Sequence, residues 1–198
     1  MQKLFSVALF ATSGLAVSLD MVHGQISLAG VSQFTSANPF SSVLKNYGCY
    51  CFHDSVHGGV SGKPQSGIDS LCKKLAQCHK CISDDYGVPA TMEWEFGHFM
   101  EYEWSILNGD IGCAVNSDQH KKDLCECDAA FATATGALFA DGNWPFTTHG
   151  MFVNIAATCV GSQGGEAECC GTYPNRKPFQ TMSHECCADN SVATLGSC

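Results

Sequence analysis

Cations are scarce in this chain. Ten Lys and Arg stand against nineteen Asp and Glu, which leaves a formal charge of −9 at neutral pH. A surface of that sign repels phosphate backbones and anionic bilayers, so nucleic acid and anionic membrane surfaces are poor partners. Long apolar runs are missing too: after Val17 no stretch approaches the roughly 20 apolar residues a membrane-spanning helix needs. Acidic runs, internal repeats and low-complexity tracts are also lacking, and only 15% of residues are charged. The charge is therefore spread over a folded surface rather than gathered into a disordered polyacidic segment.

What is present begins with a leader. Lys3 precedes an apolar run from Leu4 to Val17, and Ala16-Val17-Ser18 offers small residues where a signal peptidase reads. Cleavage is expected after Ser18, with Val22-His23-Gly24 an alternative site; losing Lys3 takes the charge from −9 to −10. The 14 cysteines all lie beyond the leader. An even number of cysteines on a chain sent to an oxidising compartment reads as a disulfide framework rather than as zinc-bound or reduced thiols. The remaining length suits one domain with a small appendage, able to bury a core that the bridges reinforce.

Local patterns divide the chain. Residues 19–46 read as an entry segment, with Pro39-Phe40-Ser41-Ser42 starting a short helix, and residues 46–64 as a Gly-rich loop. From Ser66 to Ile82, residues Ile68, Leu71, Cys72, Leu75, Cys78 and His79 recur at three- and four-residue spacing, which predicts a helix with one buried stripe. Over 91–106, Glu93, Glu95, Glu101 and Glu103 alternate with aromatic or apolar residues, which predicts a hairpin turning near Gly97-His98. A second long helix is expected over Ser117–Phe139, capped by Ser117 or Asp118 and closed by Asp141-Gly142. Ala129, Ala130, Ala132 and Ala134 keep it narrow enough for close packing. Beyond Gly161 the composition shifts to Gly, Ser, Pro and paired cysteines, so the expected organisation is a leader over 1–18, a domain over 19–161 and a cysteine-held extension over 162–198.

Three segments in order carry a resemblance: Tyr47-Gly48-Cys49-Tyr50-Cys51, then the run from Pro64 through Asp69 and Cys72 to Cys78, then Cys125-Glu126-Cys127-Asp128. Over residues 36–140 the chain resembles secretory phospholipase A2. The resemblance implies a mainly α, disulfide-rich fold: an antiparallel helix pair, a small β-hairpin and, here, the cysteine-rich extension. It also implies that the first segment opens a calcium loop, that the second is the active-site helix, and that the third starts the helix bridged to it. In that family a His deprotonates water, the adjacent Asp holds calcium, and a distant Asp orients the His, while calcium stabilises the oxyanion.

This chain departs from the pattern where the chemistry sits. Leu75 falls at the catalytic His and Ala76 at the calcium-binding Asp, so no catalytic residue and no metal ligand is expected. Phe52 replaces a glycine of the calcium loop and cannot share glycine's access to positive φ. Leu71 and Ala134 stand where the family has two bridged cysteines, both absent together. The resemblance implies the bridges Cys51–Cys72, Cys78–Cys127, Cys113–Cys125 and Cys49–Cys159. Asp128 falls at the orienting Asp, with no His at Leu75 to orient, and reads as a hydrogen-bonding or surface carboxylate. Taking His79 as the base would slip the register, put Lys80 at the metal position and lose the cysteine matches. His53, His57, His98, His120, His149 and His184 are scattered and read as exposed.

The extension, Cys169-Cys170-Gly171-Thr172-Tyr173-Pro174-Asn175-Arg176-Lys177-Pro178-Phe179, is similar to cysteine-rich tails of secreted matrix and shell-matrix proteins of marine invertebrates. It offers Tyr173, Arg176, Lys177 and Phe179 as a binding surface. The expected function is that of a secreted, non-catalytic component of an extracellular matrix, including a mineralised, shell-type one. Its partners would be matrix components or a mineral face, and no cofactor is expected beyond weak surface calcium at carboxylates such as Asp84, Asp85, Glu93 and Glu95. The alternatives are an active calcium-dependent secreted phospholipase A2 and a toxin-like or defence protein that binds a receptor.

Overall fold

The computed structural model describes residues 47–51, 62–87, 102–107, 110–140, 154–159 and 167–198. The entry segment, the Gly97-His98 turn, residues 91–101 and the Asp141-Gly142 helix stop lie outside the described residues.

Helix α1 runs Gly67–Tyr86. Ser66 caps it in an extended conformation, its hydroxyl accepting from the Asp69 N–H at 3.2 Å. The helix continues four residues past Ile82 because Gly87, at φ 69°, supplies a left-handed stop whose N–H donates to the Ser83 carbonyl. Lys80 bonds Asp84 across one turn in that added stretch. Its buried stripe, Ile68, Cys72, Leu75, His79 and Ile82, keeps the three- and four-residue rhythm of the sequence.

Helix α2 runs Gln119–Ala140. Asp118 caps it, accepting from the N–H groups of His120 and Lys121 at 2.9 and 3.3 Å. The two helices lie antiparallel: Gly67 abuts Leu138, His79 meets Asp128, and Tyr86 reaches Asp123 at 2.5 Å. Ile68, Leu75 and Ile82 of α1 pack with Leu124, Phe131 and Ala132 of α2, joined by Tyr47, Tyr50 and Tyr102. Burying each large apolar side chain contributes roughly 1.5–3 kcal/mol, so the seam between the helices is a large contributor to stability beside the bridges. His120, expected exposed, is instead buried and stacked on the Tyr86 ring at 4.3 Å between centroids.

The described hairpin pairs β1 (Ser105–Leu107) with β2 (Asp110–Gly112), Ile106 opposite Ile111. The sequence between the strands is Asn108-Gly109, a dipeptide favoured in two-residue hairpin connections. Cys113–Cys125 fastens its end to α2. A four-residue helix, α3 (Ile155–Thr158), delivers Cys159 to its bridge with Cys49.

The extension forms two antiparallel ribbons: β3 (Ala167–Cys170) with β4 (Lys177–Gln180), and β5 (His184–Cys186) with β6 (Val192–Thr194). Cys170–Cys186 joins the ribbons and Cys187–Cys198 closes the C-terminus. The extension is docked on the helix pair, with Cys81–Cys169 tying β3 to α1. Asp85 of α1 accepts from Arg176 at 2.7 and 2.9 Å and from the Tyr173 hydroxyl at 2.8 Å. Tyr173 and Arg176 therefore face their own helix rather than forming an open binding surface. The reason lies in the last turn of α1, beyond Ile82, which carries Asp84 and Asp85 to the extension.

Burial acts upward on the Asp85 carboxyl, but hydrogen bonds from Arg176 and Tyr173 and the guanidinium charge outweigh it and hold it below its ordinary value of 3.8. A carboxylate with a depressed folded-state pKa stabilises above its unfolded value and loses that contribution as pH falls through the folded one. Asp85→Asn is therefore expected to lower the thermal midpoint relative to wild type by roughly 1 kcal/mol of stability at neutral pH. Melting curves taken across pH should show that difference shrinking below about pH 4; a difference independent of pH would exclude the ionised latch.

Candidate functional site

The segment Tyr47–Cys51 is a tight turn, closed by the Cys51 N–H donating to the Tyr47 carbonyl at 3.2 Å. Asp69, in the first turn of α1 and 0% exposed, anchors it. Its carboxylate accepts from the N–H groups of Cys49, Tyr50 and Gln65 at 2.9, 2.8 and 2.8 Å. Gly48 sits at φ 61°, and a Cβ there would lie 2.3 Å from the Asp69 Cγ, so only glycine admits the carboxylate this close. Cys51–Cys72 and Cys49–Cys159 hold the turn from two further sides. Lys73 lies over the Tyr50 ring at 5.2 Å, and the Tyr50 hydroxyl donates to the Gly62 carbonyl at 2.7 Å.

Nearly three turns further along α1, opposite His79, a second buried carboxylate organises the seam. Asp128 of α2 is 0% exposed and accepts from His79 Nε2 at 2.9 Å and from the Tyr102 hydroxyl at 2.5 Å. An ionised carboxylate can only accept, so this contact assigns the shared proton to Nε2 of His79 wherever Asp128 is ionised. His79 is 4% and Tyr102 6% exposed, so the array is closed to bulk water. A general base must reach the proton it takes. This imidazole is instead part of an array in which Asp128 of α2 joins His79 of α1 to Tyr102, three residues ahead of β1. Charge-assisted hydrogen bonds of this kind are among the stronger ones, and the apolar surroundings raise the cost of breaking them.

Leu75 sits one turn before His79 and is 2% exposed, packed in the core. Ala76 follows it, half-buried. The cysteines are joined as Cys49–Cys159, Cys51–Cys72, Cys78–Cys127 and Cys113–Cys125, the same pairs that the resemblance implies. The other three bridges, Cys81–Cys169, Cys170–Cys186 and Cys187–Cys198, involve the extension, and all fourteen cysteines are paired. Asp128 is an interior hydrogen-bonding carboxylate; its partners His79 and Tyr102 escape a reading of the motifs. The usable signal was His79 lying on the apolar stripe of α1, where a polar ring needs a buried partner. The role of Asp69 was hidden in the same way.

Calcium would need oxygen donors free to coordinate it. Asp69, the carboxylate beside the turn, already accepts three N–H groups, and Ala76 brings no oxygen from its side chain. Among the described residues no three His, Cys, Asp or Glu side chains gather as a metal site. The described donor set does not fit a calcium ion here. No helix among the described residues is long and apolar enough to cross a membrane.

A turn pinned to the start of one helix, an antiparallel partner bridged to it and a buried Asp linking them define a disulfide-rich helix-pair protein. The family model for phospholipase A2 matches residues 27–138, and the chain belongs to that family. It is 35% identical over 102 residues to a phospholipase A2 homolog of Echis pyramidum leakeyi, covering 52% of this chain and 69% of that protein. A phospholipase A2 homolog of Echis ocellatus is 30% identical over 141 residues, 70% of this chain and 90% of its own. An acidic phospholipase A2 of Bitis gabonica is 31% identical over 117 residues, 59% and 80% of the two chains. The family match ends before the extension begins.

Proposed function

We propose that this protein is a secreted, non-catalytic member of the phospholipase A2 family that serves as a structural or binding component of an extracellular matrix. The observation that carries the loss of catalysis is the seam around Asp128. Its carboxylate is spent on His79 and Tyr102, and the turn of α1 before His79 presents Leu75 and Ala76. Neither side chain can take a proton or hold a cation, so the water-activating step of the family has no agent at this position. Two of the relatives bear the name homolog rather than the enzyme's own name, in keeping with this reading. Seven bridges with no free thiol suit an oxidising extracellular setting.

The matrix setting, including a mineralised shell-type one, rests on the resemblance of the extension and on the durability that the bridges confer. Extraction of the native protein is the test. Retention with the insoluble or mineral fraction until reduction or decalcification supports the reading. Full release in neutral saline contradicts it and leaves a soluble receptor-binding role.

A further inference from the structure

A cleft of about 360 Å³ lies where the extension crosses the helix pair. Its floor is apolar: Leu71 and Leu75 from α1, Ala130, Phe131 and Ala134 from α2, with the Cys78–Cys127 bridge between them. Leu71 and Ala134 are the two positions at which the resemblance would place a bridge, and here both contribute apolar surface to the cleft. The Pro174–Lys177 stretch of the extension forms one wall.

The charge around this cleft is opposite to that of the molecule. The chain has ten Lys and Arg and nineteen Asp and Glu, yet Lys74, Arg176 and Lys177 line the cleft and no acidic residue does. Asp85 neutralises Arg176. Lys74 and Lys177 are exposed and make no ion pair among the described residues. Small-molecule sites characteristically combine an apolar lining with a few placed polar groups, in volumes of roughly 300–1,000 Å³.

We propose that this cleft binds one small anionic amphiphile, its apolar body on the Leu71–Phe131 floor and its carboxylate or sulfate between Lys74 and Lys177. A free molecule fits better than a bilayer headgroup, because a chain of charge −9 is repelled by an anionic lipid surface while a local pair of lysines still attracts a single anion. The proposal is independent of whether the protein is catalytic.

The test is calorimetric titration of the oxidised full-length protein with dodecanoate below its micellar concentration, and with dodecyltrimethylammonium as the chain-matched cation. Dodecanoate should bind at one site in the micromolar range and the cation at least tenfold more weakly. Lys74→Glu with Lys177→Glu changes only exposed side chains and should weaken dodecanoate at least tenfold with unchanged near-ultraviolet dichroism. Ala134→Trp should fill the floor and abolish the site. Equal binding of both amphiphiles, no binding, or binding that survives the lysine reversals would overturn the proposal. So would co-sedimentation with phosphatidylserine vesicles that the lysine reversals abolish, since the cations would then read a bilayer surface.

Discussion

Asp69→Ala is expected to cost about 4 kcal/mol or more of stability, the largest effect of any single side-chain change in the described fold. Three N–H groups, those of Cys49, Tyr50 and Gln65, lose their acceptor, and Cys49 and Tyr50 stay buried. Each buried donor left without a partner costs roughly 1–3 kcal/mol. The cavity left under Gly48 adds to this, because the carboxylate fills the space a Cβ would otherwise contest. Asp69→Asn should cost less, since one amide oxygen can still accept while its NH₂ faces donors. Denaturant unfolding of the oxidised proteins checks both, and an Asp69→Ala loss below about 1 kcal/mol would mean that the bridges alone hold the turn.

The second large effect is expected at Asp128. Asp128→Ala removes the acceptor shared by His79 and Tyr102 and should destabilise by about 3 kcal/mol, consistent with the loss of one member of a buried hydrogen-bonded array. A double-mutant cycle with His79→Phe separates the pair: if the two side chains act together, the second change should cost much less in the Asp128→Ala background than alone. Additive losses would mean that His79 is held by its surroundings and not by Asp128. The same cycle bears on function, because the array is then a structural link between α1, α2 and Tyr102, three residues ahead of β1.

Much of the helix pair was legible in the sequence. The stripe from Ile68 to His79 has no other use than to be buried, and Ser66 and Asp118 announce the two helix starts because short polar side chains accept from free N–H groups. The end of α1 was misread by four residues, since Ser83 to Tyr86 carry no apolar rhythm. What sustains them is Gly87 at the stop and partners that lie far along the chain, Asp123 for Tyr86 and Arg176 for Asp85. The turn of the hairpin expected over 91–106 falls outside the described residues; for the described strands the local signal is Asn108-Gly109.

The site divides along similar lines. Cysteine spacing, read through the family resemblance, carries the bridge between the two helices, because Cys78 and Cys127 can be joined only in one register of the facing helices, and it carries Cys51–Cys72, which ties the turn to α1. The bridge of Cys81 to Cys169 had no such guide, and it is the one that seats the extension on α1. Buried polar partners were the least legible feature. Nothing near Asp128 in sequence points to Tyr102 or His79, 26 and 49 residues away, and only the folded seam brings them together.

The most direct measurement of the central claim is phospholipid hydrolysis by the oxidised full-length protein, followed as released fatty acid on mixed micelles with and without millimolar calcium. The account predicts no calcium-dependent turnover above the uncatalysed background. Calcium-dependent release that co-purifies with the folded protein and is lost when that protein is unfolded would contradict it and place an unrecognised base on this scaffold.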